Sequence, residues 1–74
     1  MARLPVVSGV RYAAIMAKIG FQWDYTQGSH MILLHSDGRR LAVPRHREPG
    51  RGLLVALIRN AGLTRDEFLD ISSD

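Results

Sequence analysis

The sequence predicts an α+β fold, with helices packed on a three-stranded antiparallel sheet. Three observations carry that reading. Apolar residues recur at helical spacing near both ends of the chain, aromatic and polar residues alternate between them, and turn residues separate the alternating runs. Each element then has one apolar face, and a two-layer arrangement buries all of those faces together.

Ser8 is a good N-cap, because its hydroxyl can accept from an otherwise unpaired first-turn amide. Tyr12, Ile15, Met16 and Ile19 follow at i, i+3, i+4 and i+7, so a first helix is predicted over 9–19, stopped by Gly20. Phe21, Trp23 and Tyr25 alternate with polar residues, the pattern of a strand over 21–27 with one buried face. Gly28 breaks it. A second strand covers 29–35, and Asp37-Gly38 supplies the positive φ angles of a hairpin turn. A third strand covers 40–43 and stops at Pro44, which lacks a ladder donor. A basic loop with a Pro49-Gly50 turn signal leads to a second helix over 52–61, with Leu54, Leu57, Ile58 and Ala61 on one face. Thr64 and Glu67 have the spacing of a capping box, so a short third helix carries Phe68, Leu69 and Ile71. Ile15, Phe21, Trp23, Leu54 and Ile58 are expected to share one core.

At 74 residues, a single domain over 1–74 is expected. The chain has no cysteine, so disulfides and thiolate metal sites are excluded. Apolar runs such as 53–58 are far too short to span a bilayer, and the opening residues lack the apolar stretch of a signal peptide. The expectation is a cytoplasmic protein with no membrane association.

Nine of the ten basic residues are arginine. Residues 1–63 hold nine basic and three acidic side chains, whereas 64–74 hold one basic and four acidic. The densest basic stretch is Arg39, Arg40, Arg45, Arg47 and Arg51, opposed only by Glu48. An arginine cluster suits a polyanion such as RNA; a solvated surface loop is the plainer explanation.

His30 follows Gly28-Ser29, where a glycine allows a turn and the close approach of a ligand. Imidazole takes and gives protons near neutral pH. RNA brings its own nucleophile, the 2′-hydroxyl, so a ribonuclease needs only a base, an acid and cationic stabilisation of the phosphorane. His30 can supply the first or second, and Arg45, Arg47 and Arg51 the third. A merely hydrogen-bonded histidine at a strand start is the competing view. His46, between Arg45 and Arg47, can orient a phosphate, carry a second proton or simply be exposed. His35, next to a turn, is expected at the surface. Tyr12, Phe21, Trp23 and Tyr25 could stack on bases, although their spacing suits a core better, above all for Phe21 and Trp23. The chain has no glycine-rich phosphate loop and no His-Glu-x-x-His helix, and its carboxylates are scattered, so no metal or other cofactor is expected.

The ordered set of marks resembles the HicA family of toxin ribonucleases over 8–71. The marks are a helix ending in Gly20-Phe21, then Gly28-Ser29-His30, Gly38-Arg39-Arg40, Val43-Pro44 with His46, Ala61-Gly62-Leu63-Thr64, and Glu67-Phe68. The resemblance implies a double-stranded-RNA-binding-like α-β-β-β-α fold with a short terminal helix. It also implies metal-independent cleavage of mRNA, His30 as the catalytic residue and a HicB-type antitoxin as partner. RNA contacts are expected at Ser29, Arg45, His46, Arg47 and Arg51. The family is commonly lysine-rich before the second helix, where this chain reads Arg47-Glu48-Pro49-Gly50-Arg51-Gly52. A non-catalytic RNA-binding module with the same fold and basic face is the alternative. A domain that merely docks a partner is a further one.

Overall fold

Ser8 starts the first helix as its sequence suggests: its Oγ accepts from the Arg11 amide at 3.0 Å. Helix α1 spans Gly9–Ala17 in the computed structural model, which describes residues 4–73. Arg3 and Asp74, which enter the charge balance, lie outside the described residues. Tyr12, Ile15 and Met16 are buried on one stripe of α1. The helix ends two residues before the predicted boundary. The amides of Lys18, Ile19 and Gly20 bond to carbonyls three residues back, tightening the final turn. Gly20 then reverses the chain at a φ of 98°.

Three antiparallel strands follow, β1 (Phe21–Gln27), β2 (His30–His35) and β3 (Arg40–Pro44), in the order β1-β2-β3. The β1–β2 turn has two residues, with Gly28 at a φ of 60° and Ser29 not positive, the pattern of a type II′ turn. The β2–β3 turn differs from expectation. Only Gly38 takes a positive φ, and the Gly38 amide bonds to the His35 carbonyl at 2.9 Å. Asp37 keeps a negative φ because this loop asks for the left-handed conformation only at Gly38. Pro44 pairs with His30 as the last residue of β3, a place open to proline because β3 is an edge strand.

Helices α2 (Arg51–Asn60) and α3 (Arg65–Ser72) complete the order α-β-β-β-α-α. Gly62, at a φ of 81°, ends α2, and the Leu63 amide reaches back to the Ile58 carbonyl. The capping box of α3 is formed, with Thr64 and Glu67 each bonding the other's amide.

All three helices bury their apolar stripes on one face of the sheet. Met31, Leu33, Leu41 and Val43 meet Tyr12, Ile15, Leu54, Leu57, Ile58 and Phe68 in a single cluster. Tyr12 is fully buried against the Phe68 ring, and its hydroxyl donates to the Leu57 carbonyl at 2.8 Å. Burial holds its phenol well above the ordinary tyrosine range.

Two expectations about β1 fail together. Only Phe21 of this strand is buried, and Trp23 is 47% exposed rather than in the core. The first cause is a bulge. Trp23 pairs with Leu33 and Tyr25 with Ile32, so Asp24 is an extra residue and Tyr25 turns to the opposite face from Trp23. The second cause is short side chains on α1. Ala13, Ala14 and Ala17 border the groove beside Trp23 and cannot close it.

Gly9 sits where α1 meets the end of β3. A Cβ built there would overlap the Pro44 carbonyl oxygen, and Val43 stands close behind. Gly9→Ala must push α1 away from the sheet. It should destabilise the fold by about 3 kcal/mol or more, against about 1 kcal/mol for Ser8→Ala. Urea unfolding of the two variants beside the parent checks the ranking.

Candidate functional site

The β1–β2 turn and the end of β3 converge at one corner of the sheet. His30 pairs with Gln27 on one side and Pro44 on the other. One residue further, the Arg45 amide donates to the Ser29 carbonyl at 2.8 Å, fixing the departing loop to the turn. Ser29, His30, Pro44, His46 and Arg47 consequently line one open cleft of about 400 Å³. The two histidines are well separated in sequence, and hairpin pairing makes them neighbours of one cavity.

His30 is exposed, and among the described residues its ring has no hydrogen-bond partner. The competing view, a strand-start histidine held by a hydrogen bond, has no such bond to point to. His46 and Arg47 are exposed in bends after β3. The cleft therefore combines two solvent-facing imidazoles, a guanidinium and the Ser29 hydroxyl. Together these groups can bind an anion and move protons.

Two of the expected contact residues lie elsewhere. Arg45 turns to the helix-bearing face, where its Cζ stands 5.2 Å from the Trp23 ring centroid. Trp23 Nε1 donates to Thr26 Oγ1, which holds the indole in place under that cation. Arg51 opens α2 and lines a separate depression with Pro49 and Leu54. Arg51 thus does not join the His30 cleft.

Several other basic residues serve the fold. The Arg39 guanidinium donates to the Ala61 carbonyl at the end of α2 and to Asp37 Oδ2 at 2.8 Å, and it lies over the Phe21 ring. Arg11 and Lys18 both reach the end of α3, donating at 3.0 Å to the carbonyls of Ser72 and Ile71. Positive charge at a helix C-terminus meets the negative end of the dipole and unpaired carbonyls. His35 is not a free surface residue. It is half-buried beneath Gly20, its Nε2 lies 3.0 Å from the Ile19 carbonyl, and its Nδ1 accepts from the Asp37 amide. The Asp37 carboxylate also lies 3.1 Å from Nδ1.

Among the described residues, no three metal-ligating side chains group together, and no helix is long and apolar enough to cross a membrane. The structure thus defines a small basic α+β scaffold with an exposed histidine cleft at one corner of its sheet. The sequence matches a family described as the HicA toxin of bacterial toxin–antitoxin systems over residues 12–63, well over half its length. The chain belongs to the HicA toxin family. The matched span includes both cleft histidines and stops before α3. No curated protein gives a significant match.

The cations divide by role, and that division is measurable. Arg39→Ala should cost about 1–2 kcal/mol of stability, while Arg47→Ala should leave the thermal midpoint in place. The Arg39 amide and guanidinium hold the Asp37 carboxyl below its usual range. A lowered folded-state pKa gives stability that is present above the ordinary carboxylate pKa and lost as pH falls. The deficit of Arg39→Ala should therefore shrink in acid. Thermal melts of both variants at neutral pH and in acid, below the ordinary carboxylate range, check this.

Proposed function

We propose that the chain is the toxin of a type II toxin–antitoxin system and cleaves mRNA without a metal, using His30 as general acid–base. The exposed, unpartnered imidazole of His30 in a cleft shared with His46 and Arg47 carries this reading. A general acid–base needs an accessible ring beside a cation, and the exposed rings and the Arg47 guanidinium of this corner support that reading. In the reaction, the RNA 2′-hydroxyl attacks phosphorus and loses its proton, and the 5′-oxygen leaves and gains one. His30 handles one of these transfers, His46 is the candidate for the other, and Arg47 balances the charge that builds on phosphorus. Membership of the HicA family supports the toxin role. A HicB-type antitoxin is the expected inhibitor, and charge complementarity favours an acidic surface over the same cleft.

His30→Ala should lose about 10² to 10⁴ in cleavage rate, as when a general acid–base is removed. RNA affinity and thermal midpoint should survive, since the ring is exposed and phosphate affinity comes from cations. Excess chelator should leave the parent's cleavage intact. Cleavage of a defined RNA, its binding and a melt are measured on the same preparations. Wild-type rates in His30→Ala would sink the mechanism. Binding without cleavage by the parent would favour the non-catalytic RNA-binding module.

Salt dependence tests the cations. Removing one phosphate contact should lower the slope of log affinity against log salt by roughly 0.7 for single strands. Arg47→Ala should show that loss, and Arg51→Ala, outside the cleft, should show less. Equal slopes for the parent and Arg47→Ala would remove Arg47 from the RNA path.

A further inference from the structure

The sheet face turned away from the helices contributes nothing to the core cluster. Even so, Ile32 at its centre is only 4% exposed. Pairing explains what lies beside it. Ile32 has Tyr25 on one flank and Ala42 on the other, and Arg40 pairs with Leu34 one row along the same face. The Arg40 guanidinium donates to the Tyr25 hydroxyl, and its Cζ stands 5.7 Å from the ring centroid. One bridge therefore runs from β3 to β1 over the middle strand.

Cover for Ile32 is only part of what this bridge presents. Tyr25 remains 41% exposed, an aromatic ring with a permanent cation over it that is also bonded to its hydroxyl. Its position follows from the bulge at Asp24, without which it would lie on the helix side. His30 occupies the same face. It pairs with Gln27, two residues from Tyr25, which makes the two diagonal neighbours across β1 and β2, about 7–8 Å apart. A nucleotide bound through its phosphate at His30 has its next base within reach of that ring. Trp23, the other exposed aromatic of β1, faces the helices and cannot take this part.

We propose that Tyr25 and Arg40 form a nucleobase seat beside the His30 cleft: Tyr25 stacks on the base next to the scissile phosphate, and Arg40 meets the following phosphate. The proposal rests on the ribonuclease reading and adds a substrate class to it. A base stacked inside a duplex cannot offer its face to a flat sheet, so the strand that binds here is unpaired.

The test uses the His30→Ala chain, so that RNA stays intact, and single-stranded oligoribonucleotides of about eight residues carrying one 2-aminopurine at successive positions. One position should be quenched on binding. Adding Tyr25→Leu, which keeps an apolar cover over Ile32, should abolish that quench and weaken binding about 5- to 150-fold, the range for one lost base–aromatic stack. The melting temperature should not move. Replacing the quenched nucleotide by an abasic one should erase the difference in affinity that Tyr25→Leu makes, and Arg40→Ala should weaken binding with a smaller salt slope. Unchanged affinity and quench in Tyr25→Leu overturn the base seat while leaving the ribonuclease reading intact. Weakening that tracks a fall in melting temperature also overturns it, since cover alone would then explain the pair. Equally tight binding of a fully paired duplex refutes the single-strand requirement. Absence of both binding and cleavage by the parent chain overturns the two readings together.

Discussion

The carbonyl of Pro44 occupies the space that a side chain at position 9 would need. That close approach seats the start of α1 on the end of β3, and only glycine permits it. Its effects run in two directions. Inward, it sets the depth at which Tyr12, Ile15 and Met16 enter the core. Outward, it holds the point from which the loop carrying His46 and Arg47 departs. One residue later the Arg45 amide bonds to the Ser29 carbonyl, so the loop is fixed on a second side by the turn that presents His30. The cleft is thus anchored by backbone contacts on both flanks. Its two histidines and Arg47 are exposed and make no side-chain hydrogen bond or ion pair among the described residues.

The arginines separate along the same line. Arg11, Lys18 and Arg39 spend their charge on the carbonyl ends of α2 and α3, where it lowers the energy of the folded state. Arg40 and Arg45 rest on exposed aromatic rings, and Arg47 faces the cleft. A net charge of +3 therefore understates the local field around the histidine corner and overstates it elsewhere. The acidic balance of the final segment fits this arrangement. Asp66 and Glu67 lie in the first turn of α3, where they suit its dipole, while Arg11 and Lys18 serve its other end.

Much of the fold was legible in the sequence because its signals are local. Ser8, Gly20, Gly28, Gly62 and the Thr64–Glu67 box each act within a few residues, and each does what its chemistry suggests. The meeting of His30 with Pro44 was legible only to within one residue: counting outward from a two-residue Asp37-Gly38 turn sets His30 against Arg45, whereas the loop holds three residues, 36–38, and sets it against Pro44. Trp23 was not. Alternation reports which side of a strand a residue takes, and it cannot report whether the opposing helix is large enough to cover that side. The bulge was hidden for a related reason: with Asp24 counted, the aromatics stand two apart and read as one face, although the pairing skips Asp24 and puts Tyr25 on the other. Arg39 looked like one more member of a basic cluster because its partner, the Ala61 carbonyl, is 22 residues away and belongs to the backbone.

The bulge also gives β1 a change of parity partway along its length. Before Asp24, odd-numbered residues look toward the helices, and after it they look away. One strand can thereby answer to two selective pressures, with Phe21 constrained by packing and Tyr25 by whatever meets the open face. Substitutions on one side of residue 24 can accumulate without disturbing the other. Loss of that single residue would leave Trp23 against Leu33 and Tyr25 against Ile32 in an unbroken ladder, so the two faces would stay as they are and only the local bend at residue 24 would go.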